Sequence, residues 1–228
     1  MKPILFNTDM VRAILEGRKT VTRRVVKLPS NIQVQDNGLY TLYAEGTCYE
    51  NQHIEELEQY LRTPYEVGDV LYVRETWTDH YVPNEEGKAE LQYCYKADGI
   101  DIKAECLPGE NNRWYPSIHM PKAAARIFLR VTSVRVERLR NVTTEDMEKE
   151  GLIDFCKKCK ALFSDCDTCL NEDGIESEFT ELWDSTIKPD QLKYYGWEAN
   201  PYVWVIEFER IEKSEAAVQK GATLNVRE

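Results

Sequence analysis

The sequence predicts an α+β fold, a small mixed β-barrel flanked by short helices. Short runs rich in β-branched and aromatic residues recur along most of the chain, and a few stretches of helical period lie between them. The longest strand pattern, residues 126–139, changes phase half-way: Ile127, Leu129 and Val131 share one alternation, Val134 and Val136 the other. That shift predicts a bulge near Thr132-Ser133, the device by which a sheet curls toward closure.

Residues 8–16 read as a helix, with Asn7 or Thr8 as N-cap, Met10, Val11, Ile14 and Leu15 as apolar face, and Gly17 as C-terminal cap. A β-branched strand follows at 20–26, then a polar segment with a hairpin signal at Asn37-Gly38 and a short helix over 54–61. Gly68-Asp69 turns into a strand at 70–73, and 92–96 is a further strand. Thr143 or Thr144 caps a short helix through Glu150, Gly151 ends it, 177–187 is helical with Phe179, Leu182 and Trp183 inward, and 202–208 closes the set as an alternating strand. We expect residues 1–210 to form one domain, with 154–175 inserted into it and 211–228 as a flexible tail with little to bury.

No run approaches the roughly 18 apolar residues of a membrane helix, and the opening apolar run is too short for a signal peptide. The expectation is a cytoplasmic protein, host-cytoplasmic if phage-encoded, with no membrane partner and with thiols kept reduced. The net charge of −11 argues against a protein that coats nucleic acid. Its distribution is uneven: residues 18–27 and 122–140 together carry a net +10 and the rest of the chain −21. If the two stretches adjoin they make a positive cleft on an acidic body, suited to one nucleotide or a short single strand. The alternative is arginines on the solvated faces of strands.

Four of the seven cysteines stand as Cys156-Lys-Lys-Cys159 and Cys166-Asp-Thr-Cys169. Each CxxC turn brings two thiolates to one side of a tetrahedron, and two turns close a four-sulfur shell around structural zinc. Lys157, Lys158 and Lys160 would offset the centre's negative charge, and a closed shell leaves no position for a catalytic water.

The segment Gly17-Arg18-Lys19-Thr20-Val21-Thr22-Arg23-Arg24 resembles the opening motif of the ASCH domain family. The resemblance continues in Gly68-Asp69-Val70-Leu71-Tyr72-Val73-Arg74-Glu75-Thr76-Trp77, in the stretch from Trp114 through His119 to Pro121, in the strand 126–139 and in the elements at 143–151, 179–183 and 200–208. In order it is most similar to the larger ASCH proteins met in phage and prophage genomes, with the cysteine knuckle as an insertion. It implies a PUA-like barrel and recognition of RNA or a modified nucleoside. Some small relatives are amidohydrolases on N(4)-acetylcytidine that use a lysine, a threonine and a glutamate. By that resemblance Lys19 is the base, Thr22 the nucleophile and Glu150 the acid/base, with Glu145 and Glu148 competing for the last role.

The residues themselves permit that chemistry. A threonine hydroxyl attacks an amide carbonyl once a base takes its proton, and a desolvated lysine beside arginines has the lowered pKa to do so. A regular strand, however, would point Lys19 and Thr22 to opposite faces, so the helix-to-strand junction must be irregular. Arg18, Arg24, Arg74, Glu75 and Trp77 are the remaining candidates for contact with a ligand, Arg74 and Glu75 either as an internal ion pair or as base readers. The leading expectation is an RNA- or nucleoside-binding module. Its rivals are an amidohydrolase, a ribonuclease (for which the sequence shows no carboxylate cluster) and a phage-encoded protein-interaction module.

Overall fold

The computed structural model describes residues 1–34, 39–53, 56, 60–102, 113–152 and 174–216. In chain order its elements are β1 (Lys2–Leu5), α1 (Thr8–Leu15), β2 (Val21–Val25), β3 (Ile32–Val34), β4 (Tyr40–Ala44), β5 (Thr47–Gln52), β6 (Val70–Arg74), β7 (Trp77–Pro83), β8 (Ala89–Tyr95), β9 (Phe128–Arg138), α2 (Thr144–Lys149), α3 (Gly174–Ser185), α4 (Leu192–Tyr195) and β10 (Tyr202–Ile211). The chain divides into two compact units, one made of Met1–Thr20, Gly68–Val131 and the chain from Phe208 onward, the other of Val21–Val67 and Thr132–Glu207.

In the first unit β1 runs parallel to β6 (Ile4 opposite Val73), and β6 runs antiparallel to β9 (Leu71 opposite Leu129). Ile4, Leu71, Val73 and Leu129 are buried, so this small sheet is apolar where its strands meet. The α1 helix starts where the Asn7 side chain accepts from the Met10 amide at 2.8 Å, and it ends before Gly17, whose φ of +78° suits the left-handed turn. β7 and β8 form a hairpin closed at Asn84, whose side-chain oxygen accepts from the amides of Glu86 and Lys88. Trp77, Tyr95, Met120, Ala124, Phe128, Ile211 and Ala216 share one core.

In the second unit the order is β9-β10-β2, with β2 antiparallel to β10 (Arg23 opposite Val205), and β3, β4 and β5 form a separate three-stranded sheet. Val21, Leu139, Met147, Phe179, Trp183, Val203 and Val205 make its core. The α3 helix buries Ile175, Phe179 and Trp183 on one stripe, and Trp183 Nε1 donates to the Tyr195 carbonyl at 2.8 Å.

Several expectations change. Within each unit the described strands stand in open order, so the α+β class holds while a closed barrel is not formed among them. β9 runs unbroken from Phe128 to Arg138. Its phase change falls at Val131/Thr132, where the strand leaves one unit and enters the other, and full burial stops at Val131. β1 escapes sequence reading because Pro3 and a short apolar run disguise it, and its partner lies far along the chain. The tail is packed as far as Ala216, which is buried. The turn at 37–38, most of 54–61 and residues 154–173 of the expected insertion lie outside the described residues, while Gly174 and Ile175 already belong to α3. Among the described residues no helix is long and apolar enough to cross a membrane.

Candidate functional site

The chemistry begins at β2, whose five residues alternate between two faces. Val21, Arg23 and Val25 share the face on which Val21 and Val25 meet the core of the second unit. Arg23 is therefore a cation on an apolar face, with a side chain only 1% exposed, and a charge so placed needs partners. It has three. Glu137 of β9 accepts from Nε at 3.1 Å and Nη2 at 2.9 Å, Asp146 of α2 from Nη2 at 3.3 Å, and Glu150 from Nη1 at 3.2 Å.

Glu150 is the C-cap of α2, and it is 6% exposed. Glu145 is exposed and paired with Lys149 at 2.6 Å, and Glu148 is exposed as well. Of the three glutamates left open by the sequence, Glu150 is the one that turns inward. Gly151 stops the helix with a φ of +95°.

On the other face of β2, Thr22 (1% exposed) accepts at Oγ1 from Arg24 Nη1 at 2.7 Å, and the same Nη1 reaches the Arg23 carbonyl at 2.8 Å. Burial pushes the Arg24 guanidinium below its ordinary pKa, and the charge of Glu150, then that of Tyr65, works against the shift. Arg24 thus bonds Thr22 directly while feeling the field of Glu150.

Lys19 belongs to the first unit. It is 2% exposed, with Nζ 5.5 Å from the centre of the Phe6 ring. Its amide and that of Arg18 both donate to the Ala13 carbonyl, which makes the junction after α1 irregular, as the sequence reading requires. Arg18 pairs with Glu16 at 2.5 Å on the surface.

Arg74 and Glu75 do not pair with each other. Arg74 Nε donates to the Met120 carbonyl at 2.9 Å. Glu75, 1% exposed, takes a two-pronged bond from Arg126, Nε to Oε1 and Nη2 to Oε2, both at 3.0 Å. Arg126 also meets Asp98 at 2.8 Å and lies 3.9 Å from the Tyr95 ring centre. Burial raises the Glu75 pKa, and the hydrogen bonds and charge of Arg126 oppose it. Trp77 is a core residue packed on Tyr93 and Tyr115; its Nε1 and the neighbouring Thr78 Oγ1 are buried without a hydrogen-bond partner among the described residues. His119 is exposed.

Arg18, Arg23, Arg126, Arg130, Arg135 and Arg140 each sit against a carboxylate, so much of the charge in both basic stretches is neutralised locally. Sequence reading counted Arg23 in a basic run and in the family-like motif, and not as an inward-facing residue. The signal that it faces inward was present, because Val21 and Val25 flank it at strand spacing. Glu137, Asp146 and Arg126 carry no local signal at all. Cys156, Cys159, Cys166 and Cys169 lie outside the described residues.

No protein-family model, no curated protein and no solved structure matches the chain.

Proposed function

We propose that this protein binds a modified nucleoside of the N(4)-acylcytidine class and hydrolyses its amide, in line with the resemblance to ASCH proteins. One observation carries the reading. Among the described residues the buried polar side chains are Lys19, Thr22, Arg23, Glu75, Thr78 and Glu150, and three of these six are the residues that the resemblance singles out for catalysis. Burying such groups is costly, and sites of chemistry are where folds retain them.

In this reading the Thr22 oxygen attacks the acyl carbon while Lys19 takes its proton. The bond from acyl carbon to N4 breaks, and the proton taken up by Lys19 is relayed through Glu150 to the departing amine. Water then cleaves the threonine ester, releasing acetate and restoring the hydroxyl. Arg24, already donating to Thr22 Oγ1, stabilises the negative charge that develops on oxygen. Arg18, Arg74 and Trp77 have lesser parts, since each is engaged elsewhere in the fold.

Incubation with N(4)-acetylcytidine should release cytidine and acetate, and Lys19→Ala or Thr22→Val should abolish release. No turnover by the native protein, or full turnover by Lys19→Ala, would sink the hydrolase. The second reading, a module that binds single-stranded RNA without chemistry, is less favoured because six arginines of the two basic stretches are paired with acids. A steep fall of RNA affinity with salt would restore it.

The zinc reading stays a proposal of its own. Four thiolates in two CxxC turns fit tetrahedral Zn²⁺ by donor chemistry, and in a reducing cytoplasm they would be available to hold it. Its role there is to fold the insertion.

A further inference from the structure

We propose that Arg23 is a positioning residue, a strap that sets the place of the Glu150 carboxylate; the functional part of this rests on the hydrolase reading above. The α2 helix has six residues, too few to hold itself together in water, so its end is where tertiary ties put it. Met147 is one tie, buried in the core of the second unit. Arg23 is the other. Its Nη2 takes Asp146 and its Nη1 takes Glu150, residues four apart and therefore one above the other on the same helix face. The guanidinium spans one turn of the helix like a staple. Its own plane is fixed from β9, where Glu137 Oε1 holds Nε and Nη2 together, and Glu137 is in turn approached by Arg135 at 3.5 Å.

Three carboxylates on one buried guanidinium is more than charge balance alone would require. A planar fork can serve three acceptors in fixed directions, and a lysine ammonium cannot. Arg23 stands on the face of β2 opposite Thr22, so it acts on the reaction through Glu150 and not on substrate.

The experiment compares the native protein with Arg23→Gln and Arg23→Lys in two measurements. In steady-state turnover of N(4)-acetylcytidine, Arg23→Gln should lose about 100-fold in kcat, the scale of a misplacement of roughly 1 Å, with KM changed by less than about twofold. Arg23→Lys should recover only part of kcat. In amide hydrogen exchange, which needs no substrate, the amides of Glu150 and Gly151 should exchange about tenfold faster or more in Arg23→Gln, while those pairing β2 with β10 keep their rates. If Arg23→Gln loosens every amide equally, the milder Arg23→Lys decides by the same selective pattern. Unchanged exchange at Glu150 and Gly151, or a kcat equal to native despite loosening, overturns the assignment. A native protein with no turnover fails the hydrolase instead, and the exchange result then decides the strap alone.

Discussion

Removing Arg126 should make the stability of the first unit depend on pH in a direction the structure dictates. Glu75 is almost wholly out of water, and its two oxygens each receive one Arg126 nitrogen at 3.0 Å. Arg126→Met keeps most of the side-chain volume over Tyr95 but leaves a buried carboxylate without its cation. Breaking one side of such a pair costs about 3–5 kcal/mol, against a total of roughly 5–15 kcal/mol for a typical domain. Asp98 loses the same partner, yet it is 34% exposed and water replaces Arg126 there. The pH sign follows from the raised Glu75 pKa. The folded state keeps the proton to higher pH than the unfolded chain, so the Glu75 contribution is best in acid and declines as pH rises from the ordinary carboxylate range through the raised folded value. Without Arg126 that decline should steepen and reach further. At pH 8 the variant should lose the full amount, and at pH 5 less, falling toward the about 1–3 kcal/mol of an unmade neutral hydrogen bond as Glu75 takes up its proton. Urea unfolding at the two pH values, followed by tryptophan fluorescence, measures this, and Glu75→Met in the same chain should recover most of the loss. Equal losses at both pH values, with no recovery in the double variant, would show that Glu75 and Arg126 do not depend on each other.

Two further outcomes are expected. Asn7→Ala removes the acceptor for the Met10 amide and should cost about 1 kcal/mol in urea unfolding, with Asn7→Ser recovering most of it; an unchanged midpoint would show that the cap is idle. Purified protein should carry about one zinc per chain by elemental analysis, and Cys159→Ser should lower that content and the protease resistance of the insertion; metal-free native protein would end the zinc reading.

What could be read from the sequence was what the chain decides locally. The α1 helix was legible because cap, apolar stripe and terminal glycine lie within a dozen residues, and β10 because Val203 and Val205 repeat at strand spacing. Thr22, Lys19 and Glu150 were singled out only through family resemblance, since nothing in their immediate neighbours foretells their burial. The two basic stretches were visible as composition, but the acids that neutralise them were not. Glu137 lies 114 residues from Arg23, and Arg126 lies 51 from Glu75. Ion pairs at such separations are chosen by strand register, which a single sequence does not state. The same limit made Arg74 and Glu75 look like partners; β6 ends at Arg74, and each found its contact elsewhere.

The division of the chain into units has a consequence for how the protein comes into being. The first unit draws on residues at the beginning, in the middle and beyond 208, and the second is threaded through its gaps. No contiguous fragment consists of one unit alone. During synthesis β1 and β6 can meet early, but the core that holds Trp77 and Phe128 waits for Ile211 and Ala216 to leave the ribosome. A chain stopped short of those residues therefore leaves an apolar surface uncovered, and clipping near the end should affect residues encoded far upstream.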